Sequence, residues 1–488
     1  MERWPAAARI AALTGARVAL LAGPTVLAFF AGGYFEGPRV WAGLIAWAAV
    51  AVAMIVCDRP LPRHRWSVVA LAGLSLLAVW TLASALWAPT AGGAYDAGQI
   101  VVTYTGVLLA AAALLRARPA LAAVEPALAG GALVVIGYGI SERLAPGLLS
   151  FSRSITAQGR LEQPLTYWNA MGEVAAIGLV LCAHLAGDAD RPPRLRAAAA
   201  AACAPLGMGL YLSFSRGALF ACAAGLVALV VAAPTREQVR GVLLAIAAGA
   251  LAAAAAAPFR GVTSLAGGLA IRERQGAITL VLALLVVLGA AAAGWALART
   301  GTSPVRLPRR APVIALAIIC AGFSLAVVAG AKEHSSQPLS PGATRYVSLQ
   351  SNRYAYWRVA IDAFAAQPLR GIGAGGWAVY WLSHRPFDDY AEDAHSLPLQ
   401  TAAELGLVGV VLLAAFVGGI ALAAREAYRA APALAAGPIA GVVVYAAHAP
   451  LDWDWEMPAV TLIGLVLAGS LLAQAELGRR GAQAGVPQ

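Results

Sequence analysis

The chain has 488 residues, 60% of them hydrophobic and only 12% charged, about half the charge of an ordinary soluble domain. The charges lie between long apolar runs. None occurs from Ser67 to Trp87, a stretch long enough to cross a bilayer core as a helix. Composition thus excludes a soluble globular protein, and the net charge of +11 reads as loop arginine that sets membrane orientation, not as a nucleic-acid-binding surface.

In chain order, the apolar runs predict spans near 18–35, 40–57, 67–87, 98–115, 127–141, 168–186, 197–213, 217–233, 241–257, 276–297, 312–330, 396–423, 434–450 and 458–474. Helices are expected, because a chain in lipid must satisfy its backbone internally. The expected fold is therefore all-α: a polytopic membrane bundle of about fourteen transmembrane helices with both termini cytoplasmic. With that topology the inner segments collect 21 of the 35 basic residues and 8 of the 24 acidic ones, and a wrong span count would blur this asymmetry. No cleavable signal peptide is expected, since the first apolar run continues into further spans. Cys57, Cys182, Cys203, Cys222 and Cys320 fall in or beside apolar runs and read as small core residues, without metal-ligand spacing. Two outer loops are long, 142–167 and 331–395. Within the second, Tyr354, Trp357, Ile361 and Phe364 recur at helical spacing, which predicts an amphipathic helix over 350–367 lying on the membrane surface or over the bundle.

Several residues stand against this background. Three outer arginines run against the orientation bias: Arg160 ahead of Tyr167-Trp-Asn-Ala-Met-Gly172, Arg216 in the tight turn Ser213-Phe-Ser-Arg-Gly217, and Arg353 in Asn352-Arg-Tyr-Ala-Tyr-Trp357. An outer arginine can snorkel to lipid headgroups, or its planar fork can hold phosphate oxygens. His395, in Asp393-Ala-His-Ser-Leu-Pro-Leu-Gln400, suits either an interfacial hydrogen bond or a general base. Gly371-Ile-Gly-Ala-Gly-Gly376 lacks a βαβ context and reads as permissive backbone at the end of a loop helix. Asp452, Asp454 and Glu456 read either as solvated acids or as groups that bind a cation or fix the arginines. Glu173, near the outer end of its span, is expected to face a partner or cavity.

Together these elements resemble the O-antigen ligase and polymerase superfamily, membrane glycosyltransferases acting on lipid-linked glycans. The resemblance covers roughly residues 155–475. It rests on Tyr167-Trp-Asn-Ala-Met-Gly172, Ser215-Arg-Gly-Ala218, Arg353 with Trp357, Pro368-Leu-Arg-Gly-Ile-Gly-Ala-Gly375, Ala394-His395 with Gln400, Glu404-Leu-Gly-Leu-Val-Gly409, and Asp452-Trp-Asp-Trp-Glu456. It implies N-terminal transmembrane helices over 1–154, a ligase-like domain over 155–475 that includes loop 331–395, and a cytoplasmic tail over 476–488. It further implies a polyprenyl-diphosphate-linked glycan donor held by Arg216 and Arg353, with Arg160 a third. His395 would activate the acceptor hydroxyl, and Asn169, Trp357, Glu404 and Asp452 would support the site. Many relatives carry Asn after this histidine, where this chain has Ser396, which bears on helix capping or acceptor detail.

Leaving-group charge on the diphosphate would be stabilised by fixed guanidiniums. Inverting, metal-independent transfer without a cofactor is therefore expected, on the periplasmic or extracellular side of the inner membrane. The partners expected are the donor, a glycan or lipid-anchored acceptor and membrane lipids, but no nucleic acid. A polymerase of the same superfamily is the alternative within the class. A multi-span transporter or flippase is the alternative outside it, disfavoured because ionisable residues are nearly absent from mid-span.

Overall fold

The computed structural model describes residues 5–299 and 351–484, with isolated positions between 305 and 324. The described residues form helices, in this order: α1 (Ala6–Ala28), α2 (Glu36–Val56), α3 (Arg65–Ala83), α4 (Ala91–Leu114), α5 (Arg118–Leu144), α6 (Trp168–Gly187), α7 (Pro193–Leu212), α8 (Arg216–Ala232), α9 (Arg236–Ala256), α10 (Leu269–Leu297), α11 (Arg353–Ala366), α12 (Gly376–His384), α13 (Leu397–Ala430), α14 (Pro432–His448) and α15 (Pro458–Ala484). Among the described residues, 11 helices are long and apolar enough to cross a membrane, and two shorter apolar ones, α8 and α14, accompany them. Each overlaps a predicted span; the predicted span 312–330 and loop residues 331–350 lie outside the described residues.

The ends of the spans follow local chemistry. Proline stands in the first turn of α5, α7, α13 and α14, where its missing N–H costs nothing. Ser215 and Thr235 cap α8 and α9 by accepting the Ala218 and Gln238 amides. Two helices exceed their apolar runs. In α1, Arg17 stays inside the helix because its Nε donates to the Leu114 carbonyl at 2.9 Å. In α5, Glu125 is buried against His184 Nδ1 at 2.6 Å. A polar group that finds a partner no longer ends a span, which is why hydropathy alone sets these boundaries short.

One end of the bundle gathers the arginine-rich loops. There Arg116 binds the Arg59 and Pro60 carbonyls, Glu476 accepts the Arg63 and His64 amides, and Arg191 pairs with Asp188. At the opposite end Arg143 donates to the Val262 and Gly159 carbonyls, and Leu161 N–H bonds Leu212 O. At the centre, α6 is buried from Asn169 to Gly187, whereas α10 exposes most of its surface, as a peripheral helix facing lipid would. Close approach rests on small residues. A Cβ on Gly207 would lie 2.2 Å from the Gly249 Cα, so α7 and α9 touch backbone to backbone.

α11 forms as the loop periodicity predicts, but with a different buried face. Tyr356, Val359, Ala360 and Ala363 are buried, while Ile361 is 54% exposed. The reason is tertiary: α11 packs on Trp377 and Trp381 of α12, whose stacked rings (centroids 5.5 Å apart) form a small second core. The glycine run then docks on α13. Gly371, Gly373 and Gly375 take positive φ, Ile372 and Gly373 amides bond the Ala403 and Glu404 carbonyls, and α13 itself breaks at Gly406 (φ 64) to receive them. Replacing Gly207 with Leu leaves the side chain no space against Gly249. It is expected to lower the thermal midpoint of the detergent-solubilised protein by several degrees, read by nanoscale fluorimetry, whereas Gly289→Leu on open α10 surface leaves it unchanged.

Candidate active site

A polar cavity of about 670 Å³ opens at the end of the bundle opposite the arginine-rich loops, between the 154–169 segment, the α7–α8 turn, α11 and the 389–395 segment. Arg160, Asn169, Arg216, Arg353 and His395 all line it. These residues come from four separate regions of sequence, and folding brings them to one space.

Each basic group is held differently. Arg216 is the first residue of α8, so it stands beside the partial positive charge of that helix N-terminus. The turn before it is stabilised by Ser213 Oγ, which accepts the Ser215 amide at 3.2 Å. Arg160 is buried; its Nε and Nη2 donate to the Ala157 and Thr156 carbonyls, and its guanidinium stacks 3.5 Å over Trp168. Much of its fork is thereby committed to the protein. Arg353 pairs with the fully buried Asp452, Nη2 to Oδ2 at 2.6 Å, with its side chain 23% exposed toward the cavity. Asp452 Oδ1 accepts from the Tyr167 hydroxyl at 2.7 Å, and that hydroxyl accepts from Asn169 Nδ2 at 2.7 Å. Burial alone would raise the Asp452 carboxyl, but Arg353 and His395 outweigh it and hold the group below its ordinary value.

His395 lies at the cavity edge with φ 53, a conformation uncommon outside glycine. Two contacts fix it. Trp357 Nε1 donates to the His395 carbonyl at 3.3 Å, and His395 Nδ1 lies 2.9 Å from the Asp393 carbonyl. A carbonyl only accepts, so Nδ1 carries the proton and Nε2 keeps its lone pair. Burial pushes this imidazole down, Asp452 pulls it up and Arg353 adds to the depression; on balance it lies below its ordinary value of 6.5. The Asp393 carboxyl, which accepts from Gln400 Nε2, is pushed by burial to about 6. Ser396 stands at the N-cap of α13 without a side-chain capping bond.

The last-loop acids and the supporting residues take definite places. Asp452 and Asp454 are not solvated acids: both are buried, the first fixing Arg353 and the second hydrogen-bonded to His448 Nδ1 at 2.5 Å. Glu404 does not line the cavity; its Oε1 accepts the Trp377 amide at 3.1 Å and so caps α12. Trp357 and Asp452 also stand behind the cavity wall, in contact with His395 and Arg353 respectively. The sequence reading did not assign Tyr167, although it stands inside a quoted motif, nor Tyr356, whose hydroxyl donates to Asp389 at 2.5 Å and whose ring lies 5.2 Å from that of His395.

Glu173 faces a partner, as expected of a charged residue at a span end, but the cluster it joins has no signature in spacing. Glu173, His448 and Asp454 are buried with one potential ligand atom each within 4.8 Å of one another. The 2.5 Å separation of His448 and Asp454 is that of a hydrogen bond, shorter than two ligands on one zinc ion allow. This cluster packs behind α8, where His448 Nε2 lies 3.0 Å from the position of a Cβ on Gly217.

Asp452→Asn leaves the Arg353 guanidinium without its counter-charge. The variant is expected to lose about 2–4 kcal/mol in stability, below the usual cost for a fully enclosed pair because Arg353 reaches solvent, as read by thermal melting in detergent.

No curated protein matches the chain. Residues 261–414 match the family model described as O-Antigen ligase. The matched segment holds Arg353, Trp357, His395 and Glu404, whereas Arg160, Asn169, Arg216 and Asp452 lie outside it. This match, on a multi-pass helical bundle, supports the resemblance to the O-antigen ligase and polymerase superfamily.

Proposed function

We propose that the protein transfers a glycan from a polyprenyl diphosphate carrier to an acceptor hydroxyl, in the cavity that Arg160, Arg216, Arg353 and His395 line together. That convergence is the observation that carries the reading, because headgroup-binding arginines would have no reason to share one cavity with an imidazole. The arginine asymmetry of the loops supports an outer-face location for this end of the bundle.

In this reading the diphosphate lies against Arg353 and Arg216, with the α8 amides beside it. Arg160, bound to backbone and stacked on Trp168, shapes and charges the wall more than it grips the substrate. The acceptor oxygen attacks the anomeric carbon as the bond from that carbon to the phosphate oxygen breaks. The electron pair leaves with the diphosphate, and the guanidiniums stabilise the charge that develops there. The acceptor proton passes to His395 Nε2, the nitrogen left basic by the Nδ1–Asp393 hydrogen bond. A single displacement inverts the anomeric centre. Fixed guanidiniums supply the charge that a divalent ion would otherwise provide, so the transfer is metal-independent.

A ligase, with a lipid-anchored core sugar as acceptor, is the leading form, and a polymerase would differ in the acceptor alone. In proteoliposomes with a polyprenyl-diphosphate-linked glycan, His395→Ala is expected to lower kcat by about 10²–10⁴-fold. Arg353→Lys keeps the charge but loses the fork and is expected to lower kcat by about 10²-fold. Full activity in both variants would remove the assignment.

Since His395 must be neutral to accept the proton and burial keeps its pKa below the ordinary value, kcat/KM is expected to hold down to about pH 6.5 and to fall only below it. An acid limb centred above pH 7 would contradict this. Transfer in excess EDTA is expected at the untreated rate; loss restored by a divalent ion would return a metal role to the buried acids.

A further inference from the structure

The acids of the polar cavity all come from one segment. Asp389, Glu392 and Asp393 line it from the stretch between α12 and α13, while Arg160, Arg216 and Arg353 enter from three other parts of the chain. Two of these acids hold the segment in place. Asp389 accepts from Tyr356 at 2.5 Å and from Asn352 at 3.1 Å, and Asp393 accepts from Gln400 at 3.1 Å. Glu392 is the exposed one, and among the described residues its hydrogen-bond partners are two phenols. The Tyr34 hydroxyl, from the connection between α1 and α2, donates to Oε2 at 2.6 Å, and the Tyr390 hydroxyl donates to Oε1 at 3.0 Å.

These groups continue into an aromatic wall that reaches the imidazole. The Tyr34 ring stands edge to face with Trp453, centroids 5.5 Å apart, and Trp453 lies 6.4 Å from the His395 ring. Trp453 is half-buried and lines the cavity, and its indole N–H has no hydrogen-bond partner among the described residues. Such an indole offers a flat apolar face and a donor at once. From His395 outward, the wall therefore runs through Trp453 and Tyr34 to Glu392.

A neutral sugar ring suits this wall. Its C–H face packs on an aromatic ring, and its hydroxyls accept from an indole N–H and donate to a carboxylate in charge-assisted bonds. A diphosphate suits it poorly, because like charges set side by side repel and Glu392 has no basic partner among the described residues.

We propose that Trp453, Tyr34 and Glu392 seat the acceptor's terminal sugar, the ring that carries the attacking hydroxyl. The inference rests on the transferase reading above and adds which wall takes which substrate. In a single inverting displacement the attacking oxygen enters opposite the leaving oxygen. The leaving diphosphate is assigned to Arg353 and Arg216, so the acceptor arrives from the side of His395, where the aromatic wall begins.

Binding is tested first, without turnover. Full-length protein in nanodiscs is titrated with methyl α-D-glucopyranoside, methyl α-D-galactopyranoside or methyl α-D-mannopyranoside, and saturation-transfer NMR with irradiation of the aromatic protons reads the bound ring. At least one glycoside is expected to bind, equally with and without inorganic pyrophosphate, which occupies the arginines. Trp453→Ala is expected to abolish the signal. Glu392→Gln keeps the shape, loses the charge and is expected to weaken binding about tenfold. Pyrophosphate affinity, read by calorimetry, is expected to be unchanged in both variants. Binding by none of the three glycosides, displacement by pyrophosphate, or an undiminished signal in both variants overturns the subsite.

The glycoside that binds is then offered as acceptor with a polyprenyl-diphosphate-linked glycan. Glu392→Gln and Tyr34→Phe are expected to lower kcat/KM for the glycoside about tenfold and to leave the donor KM unchanged. A raised donor KM with unchanged kcat/KM for the glycoside would give this wall to the donor and overturn the proposal. Glycoside binding as expected, with no transfer by the unmodified protein, would overturn the transferase reading and leave the sugar subsite standing.

Discussion

One carboxylate joins the parts of this molecule that matter most. Asp452 is fully buried, and its two oxygens are divided between partners far apart in sequence: Oδ2 takes Arg353 from the loop helix, and Oδ1 takes Tyr167 from the segment entering α6. Asn169 extends the chain by donating to Tyr167. An ionised carboxylate in such surroundings persists only when it is paired and hydrogen-bonded, and in low dielectric those bonds are strong. The loop helix, the central span and the last loop are thereby fixed relative to one another. In the proposed reading, Arg353 is thus held in place before the substrate arrives, and little reorganisation remains to be done during reaction.

The same economy governs His395. Its backbone is fixed by Trp357 from one side, and its Nδ1 is committed to the Asp393 carbonyl. Behind it, the glycine turn at 371–375 pairs its backbone with α13 at Ala403 and Glu404, and the helix breaks at Gly406 to accept that contact. A side chain at Gly371 would lie 2.2 Å from the Glu404 backbone, so this docking requires glycine. A loop on a membrane surface would ordinarily be mobile. Here it is tied to a span by backbone hydrogen bonds on one side of the histidine and by the aromatic core of α11 and α12 on the other.

Much of this was legible in sequence, for physical reasons that also mark where legibility stops. A span announces itself by apolar length, and an arginine on the less basic side announces itself as an exception. Those two signals pointed to the helices and to three of the cavity residues, Arg160, Arg216 and Arg353, while His395 stood out by its place where the long loop meets the next span. Partner choice within the bundle leaves no such trace. Asp452 could be read as solvated because a carboxylate next to tryptophans in a loop looks the same whether or not an arginine reaches it from a hundred residues away. Glu404 was grouped with the site by its motif, although its carboxylate caps α12. The face of α11 was misjudged because the helix is apolar on several sides, and only the position of Trp377 and Trp381 decides which side is covered. His448 and Asp454 lie in one local segment, but Glu173 joins them from α6, far away in sequence, and no local spacing announces that.

In the proposed reading, the guanidiniums of the cavity face a charge that increases as the bond to the diphosphate breaks, so their interaction strengthens on the way to the transition state. Contacts to the rest of the substrate that are the same before and during transfer would contribute to KM instead, because they do not distinguish ground state from transition state. That difference gives the chain of buried hydrogen bonds through Asp452 its place in the proposal: it fixes Arg353 and Tyr167. A charge that develops only during reaction is best met by donors already fixed.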